Sequence, residues 1–235
     1  MNILAIETAT NVCAAAVVTD TESFEERTEE RYVHAEKILG MIDHVLKQSS
    51  LEGPKIDGIA VSIGPGSFTG LRVGLSAAKG LAYAWQKPII GVSTLEGLAL
   101  RALEQEPPFE NSLVLPAVDA RRDEVYCGLF RTDGKGLQEE WSPRDMRVND
   151  LLQEIDGMST VLTGDAVEKI LDARNEDSQQ TPLVKTSLVL RTASAVCIGK
   201  LGRQRLLECM HNDARSLEPV YVKEFYTTTT KTTVQ

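Results

Sequence analysis

The stretch Gly64-Pro65-Gly66-Ser67-Phe68-Thr69-Gly70-Leu71-Arg72-Val73-Gly74 limits what this chain can fold into more than any other. An apolar run, residues 56–63, precedes it and reads as a buried strand. A run of apolar and small residues, 71–85, follows and reads as a helix. Gly64, Pro65 and Gly66 punctuate the join, and Ser67 or Thr69 can cap the helix by accepting a first-turn N–H. A strand, a glycine-rich turn and a helix in that order predict an α/β unit. The turn reads either as a tight capped turn or as a site for an anion or acyl oxygen at the helix N-terminus. The spacing is neither that of a Walker loop nor that of the dinucleotide fingerprint, so loop geometry alone favours the capped turn.

Gly70, Gly74, Ala78 and Ala82 recur at intervals of four and form one small-residue stripe on this helix. Glycine inside a helix costs roughly 1 kcal/mol relative to alanine, so close packing must offset it. The stripe packs either on this chain's own sheet or on another chain.

Upstream, residues 3–8, 12–18 and 24–31 predict three strands in a meander, followed by an amphipathic helix over 35–48. Residues 88–92 predict a strand, and 94–105 a helix that Ser93 can cap. The pattern restarts after a Pro-containing linker at 106–111. Strands are predicted at 113–119, 124–131 and 160–163, turns at 120–123 and 133–136, and helices at 148–155, 167–174 and 191–211. Residues 175–182 read as a polar loop, 217–223 as an extended tail, and 227–235 as a frayed threonine-rich end. Strands in a meander followed by alternating strand and helix, twice over, predict two α/β lobes. The expected divisions are 1–106, 107–216 and a tail, 217–235.

A formal net charge of −9 argues against a broad nucleic-acid footprint on this chain alone. Four scattered cysteines without a Cys-x-x-Cys pair predict free thiols in a reducing compartment. No leader pattern and no membrane-spanning run are seen, so a cytoplasmic protein without membrane contact is expected.

Chemistry-bearing residues are sparse. Glu7 ends the first strand and reads as a turn carboxylate, with a base or metal role as the alternative. His34 and His44 are too far apart for a helical metal pair, and His34 finds Ile38 one turn on. Asp119, Arg121, Arg122, Asp123 and Glu124 form a charged turn that reads as a solvated hairpin or as the lip of a site. Ser67 lacks the setting of a nucleophile.

Five stretches together resemble the TsaB (YeaZ) family: Ile6-Glu7-Thr8-Ala9-Thr10, His34-Ala35-Glu36, the run from Gly64 to Gly74, Val118-Asp119-Ala120-Arg121-Arg122-Asp123-Glu124-Val125-Tyr126, and Glu218-Pro219-Val220-Tyr221-Val222-Lys223. The resemblance implies a two-lobed actin-like, Hsp70-like ATPase (ASKHA) fold, with mixed sheets flanked by helices. It implies a non-catalytic subunit of the bacterial machinery that makes N6-threonylcarbamoyladenosine next to the anticodon of tRNA. In that machinery TsaD transfers threonylcarbamoyl from threonylcarbamoyl-AMP, TsaB supports it, and the ATPase TsaE joins them. It implies no cofactor, tRNA contact only through the complex, and a homodimer when TsaD is absent. Glu7 stands where the family usually has Asp, and Ala9 occupies the glycine slot of the actin-like phosphate hairpin. No glycine lies in Asp119-Ala120-Arg121-Arg122. With ATP and metal chemistry missing, the expected function is a surface. Ala35, Ile38, Leu39, Ile42 and Leu46 on one helix, with Gly70, Leu71, Gly74 and Ala78 on the next, are expected to meet TsaD. The rival readings are an active actin-like ATPase or sugar kinase, a glycoprotease-like peptidase, and an independent RNA-binding protein.

Overall fold

Strands apolar on both faces must be covered on both sides, and that requirement sets the layers of this molecule. The computed structural model describes residues 1–104, 112–132, 136–174 and 183–223. β1 (Ile3–Glu7) and β2 (Cys13–Val18) are buried along their whole length and pair antiparallel, Ile3 opposite Val18 and Glu7 opposite Ala14. Ile3, Ala5, Ala14 and Ala16 enter one core, while Leu4, Ile6, Cys13, Ala15 and Val17 enter another. β3 (Ser23–Thr28) is the polar edge strand beside β2. β4 (Gly58–Ser62) and β5 (Ile89–Val92) add parallel strands on the other side, so the order is β3-β2-β1-β4-β5.

The second sheet repeats that plan. β6 (Leu113–Asp119), β7 (Glu124–Thr132) and β8 (Leu137–Arg147) form an antiparallel meander, and β9 (Thr160–Thr163) and β10 (Leu183–Lys185) run parallel on the far side of β6. Its order, β10-β9-β6-β7-β8, is the first sheet's order counted from its own first strand. Two mixed sheets of one topology, flanked by helices, agree with the two α/β units expected from the order of elements and with the actin-like fold that the resemblance implies.

α1 (His34–Gln48) and α2 (Phe68–Trp85) cover the outer face of the first sheet. α3 (Thr94–Ala102) and α6 (Ala195–Leu207) lie between the sheets. α4 (Val148–Glu154) and α5 (Val167–Asp172) cover the outer face of the second. α6 falls within residues 107–216 yet packs on β1, β2 and β4, so the chain returns to the first sheet after building the second. Gly202 permits this close approach, since a Cβ there would lie 2.4 Å from the Cβ of Ala60.

Most predicted elements are present, with shifted ends. α6 begins at Ala195 rather than near 191, because a 3-10 turn, Leu188–Arg191, precedes it. Residues 141–146, for which the sequence predicts no element, complete the long strand β8. β10 was not foreseen, for it has only three residues and follows a polar run. The expected linker at 106–111, the turn residues 133–135, the loop at 175–182 and the threonine-rich end lie outside the described residues. Cys13, Cys127 and Cys197 are buried free thiols, as expected, while Cys209 is exposed.

Candidate functional site

The turn between β1 and β2 is locked onto the start of α2. Ser67, the N-cap, accepts the Gly70 N–H on its side chain (3.2 Å), which settles the choice between Ser67 and Thr69. The Ser67 N–H donates to the Ala9 carbonyl (2.6 Å), and the Thr8 hydroxyl donates to the Gly70 carbonyl (2.8 Å). The glycines make this approach possible. A Cβ on Gly66 would lie 2.1 Å from the Ala9 carbonyl oxygen, one on Gly70 2.0 Å from that of Thr8, and one on Gly74 2.1 Å from Thr8 Oγ1.

The same turn closes over its own carboxylate. Glu7 is wholly buried, and its Oε1 accepts the Ala9 N–H at 2.7 Å. Its Oε2 has no partner among the described residues. Burial pushes the Glu7 carboxyl up to about 7, against the opposing pull of hydrogen bonds from Ala9, Ser62 and Thr10. Burial, with the Glu7 charge adding to it, pushes the nearby Cys13 thiol up to about 11. The Val12 N–H goes to Thr10 Oγ1 (3.1 Å), and His34 Nε2 lies 3.2 Å from the Thr10 carbonyl oxygen. The Ala9 amide is already held by a side chain of the protein itself.

Beyond the turn lies a cleft of about 810 Å³, walled by this turn, the start of α2, the β6–β7 turn and residues Val220 to Lys223. On the second-sheet side the Asp119 N–H donates to Asp165 Oδ1 (2.8 Å) and the Arg121 N–H donates to Asp119 Oδ1 (2.8 Å). The Lys169 ammonium pairs with the Asp119 carboxylate. Burial raises the Asp165 carboxyl above its ordinary range. The tail forms the last wall. The Val220 N–H donates to the Ile63 carbonyl (2.7 Å), Tyr221 stacks beside Phe68 with centroids 5.2 Å apart, and Arg72 Nε donates to the Tyr221 hydroxyl (3.2 Å). Lys223 then reaches Glu124 on β7 and Asp145 on β8. Among the described residues no three His, Cys, Asp or Glu side chains are grouped to hold a metal.

A family model described as "TsaD: tRNA N6-adenosine threonylcarbamoyltransferase" matches residues 29–225. A tRNA threonylcarbamoyladenosine biosynthesis protein TsaB from Buchnera aphidicola subsp. Schizaphis graminum is 30% identical over 72% of this chain and 80% of its own length. The chain belongs to the TsaB (YeaZ) family. The TsaB protein of Escherichia coli is 39% identical over 58% of each chain, and that of Haemophilus influenzae is 39% identical over 54% of this chain and 52% of its own, so these matches span little more than half of those relatives. The solved structure of YeaZ from Pseudomonas aeruginosa superposes with a TM-score of 0.79 at 26% identity, over 94% of this chain and 99% of that one.

Within this TsaB fold, the residues expected to meet a partner divide into two groups. Ile38 (2% exposed), Ile42 (3%), Leu71 (1%) and Ala78 (0%) lie in or against the chain's own core. Gly70 and Gly74 are buried as well, pressed on Thr8. Their side chains and backbone are taken up inside the chain. A stripe at spacings of three and four is the seam a helix turns to its own sheet, and here that seam is filled by β1 and β4. Ala35 and Leu39 are exposed, Leu39 at 60%, and Leu46 is half-buried. The outward face of α1 and α2 also carries Gly40, Ser76, Gly80 and Tyr83, the last 88% exposed. A Cβ on Gly40 or Gly80 would meet nothing within 4 Å. Gly80 is visible in the sequence, with Gly70 and Gly74, as a helix glycine whose cost needs an offset; sequence reasoning missed Gly40, Ser76 and Tyr83, although a mid-helix glycine off the apolar seam, such as Gly40, is a readable signal. The motif loop, Gly64, Pro65, Gly66, Ser67, Phe68 and Thr69, borders the cleft, with Gly64 at φ +108°. Among the described residues no helix is long and apolar enough to cross a membrane.

Proposed function

We propose that this chain is a non-catalytic subunit of the cytoplasmic bacterial machinery that makes N6-threonylcarbamoyladenosine in tRNA. It binds TsaD and supports the transfer of threonylcarbamoyl from threonylcarbamoyl-AMP, with the ATPase TsaE joining the pair. The relatives' names supply the pathway, and the Glu7 turn supports the non-catalytic part. In an actin-like ATPase the amides of the matching hairpin face phosphates; here an incoming phosphate would find the Ala9 amide already taken by the buried Glu7 carboxyl, with the turn closed over it.

The surface reading rests on the outward face of α1 and α2. Gly40 and Gly80 weaken their helices with no packing gain inside the chain, and beside Leu39 and Tyr83 they leave room for another helix to lie close. That face takes TsaD, and a second copy of the chain when TsaD is absent. Gly80→Leu tests it. The new side chain points into open space, so the isolated chain keeps or raises its melting temperature. Co-purification with TsaD is expected to fall at least tenfold, and formation of modified tRNA with it. A folded Gly80→Leu chain that pairs and supports modification at the wild-type level refutes the surface. Tight Mg-ATP binding by the isolated chain in calorimetry would favour the rival ATPase reading.

A further inference from the structure

Six described non-glycine residues hold a positive φ: Tyr32, Ser50, Gln86, Arg121, Arg122 and Cys209. Gln86 closes α2, and Ser50 and Cys209 follow the last turns of α1 and α6, where a left-handed residue is the usual helix stop. The other three gather at the cleft. Arg121 and Arg122 are consecutive residues of the four-residue turn, 120–123, between β6 and β7, with φ 71° and 49°, a region that Asn and Gly enter with least strain. Tyr32, at φ 65°, is 97% exposed. Arg31, Tyr32 and Arg121 line the cleft from opposite sheets, and Arg122 is exposed next to Arg121.

None of the guanidinium groups of Arg31, Arg121 and Arg122 has an ion-pair partner among the described residues. The acids nearby are occupied: Asp119 by Lys169, Glu29 by Arg27, Glu30 by Lys37, while Asp165 is bonded beneath the turn. A molecule of net charge −9 therefore exposes unpaired cations from two lobes at one rim, on strained backbone, around a bare aromatic ring. Guanidinium forks match phosphate oxygens, and an exposed tyrosine stacks an unpaired base.

We propose that this rim, Arg31 and Tyr32 on one side and Arg121 and Arg122 on the other, docks a single-stranded segment of RNA. The arginines hold phosphates across the two lobes, and Tyr32 stacks a base. The choice of RNA rests on the function proposed above; the site itself rests on the geometry. Single strands are favoured over duplex because a stacked base pair offers no face to Tyr32.

The test is fluorescence anisotropy with a labelled anticodon stem-loop RNA, on the full chain at low salt and on its complex with TsaD. Arg121→Asn with Arg122→Gly keeps the turn and relieves its strain while removing both cations. Affinity is expected to fall about tenfold, and the log–log salt slope by about 1.4, at about 0.7 per phosphate contact. Tyr32→Ala is expected to lose about fivefold, and Tyr32→Phe to restore binding. Unchanged affinity and slope in the arginine double variant overturn the proposal. ATP displacing the RNA as effectively as unlabelled RNA overturns it in favour of a mononucleotide pocket. Loss of TsaD pairing with RNA affinity intact overturns it in favour of a protein contact. A chain that binds RNA through this rim but never pairs with TsaD supports the site and refutes the function above.

Discussion

Replacing Glu7 with glutamine exchanges a buried carboxyl for an amide of the same shape, and the consequence depends on pH. The folded chain raises the Glu7 carboxyl from 4.5 to about 7, chiefly through burial. Between these values the native state keeps the proton and the unfolded chain releases it. The contribution of this group is therefore full below pH 4.5 and is lost as pH rises towards 7. At 1.36 kcal/mol per pH unit the loss comes to roughly 3 kcal/mol. Asp20 and Glu168, whose carboxyls are lowered by ion pairs, act in the opposite sense and only at lower pH. The substituted amide never ionises, yet its carbonyl still accepts the Ala9 N–H. Glu7→Gln is expected to match the wild type near pH 4 and to exceed it by about 3 kcal/mol at pH 8, or roughly 6–12 °C for a chain of this size. Melts at half-unit pH intervals, with urea titrations at both ends, measure this. A gap that stays constant from pH 5 to pH 8 would show that Glu7 is not the buried titrating group, and the account of the closed turn would fail.

Gly70→Ala places a Cβ 2.0 Å from the Thr8 carbonyl oxygen, so backbone must move. A loss of about 3 kcal/mol is expected in denaturant titration, and wild-type stability would refute the packing described for the motif. Arg205 pairs with Glu96 and donates to the Gly91 carbonyl (2.7 Å), tying α6 to α3 and β5, while burial raises the Glu96 carboxyl despite that cation. Arg205→Ala leaves a largely buried carboxylate without its partner and is expected to cost about 2 kcal/mol. Arg205→Ala with Glu96→Gln should recover part of that loss in the same titration.

Much of the architecture was readable because period and punctuation agree. The runs at 3–8 and 12–18 carry the two-faced apolar character of central strands, and Ser67 and Thr69 before the helical run at 71–85 mark a start that the structure places at Phe68, with Ser67 as the cap. That there are two α/β units followed from the order of elements, without similarity between the halves, while the strand order within each sheet did not. What stayed hidden is what only three dimensions settle. Glu7 appears in sequence as one carboxylate at a strand end, and its burial depends on Gly66 and Gly70 bringing α2 against the turn. The position of α6 could not be read from its own residues, because its small and apolar side fits either sheet. The strained pair Arg121-Arg122 was visible only as a charged turn, since nothing in the residue types announces a positive φ.

The two sets of glycines on α2 decide which surface of this lobe is spare. Gly70 and Gly74 share the stripe with Ala78 and Ala82, and each is already matched by Thr8. Their smallness is explained within the chain, so it says nothing about a partner. Gly80 lies off that stripe and faces solvent, as Gly40 does on α1, and neither meets any atom that would exclude a methyl group. Alanine at either place would strengthen the helix by about 1 kcal/mol. A cost borne without an internal return points outward. The same period-four pattern that suggested a partner face from sequence lies against the chain's own turn and sheet, and the partner face we propose is the one marked by the glycines that break the pattern.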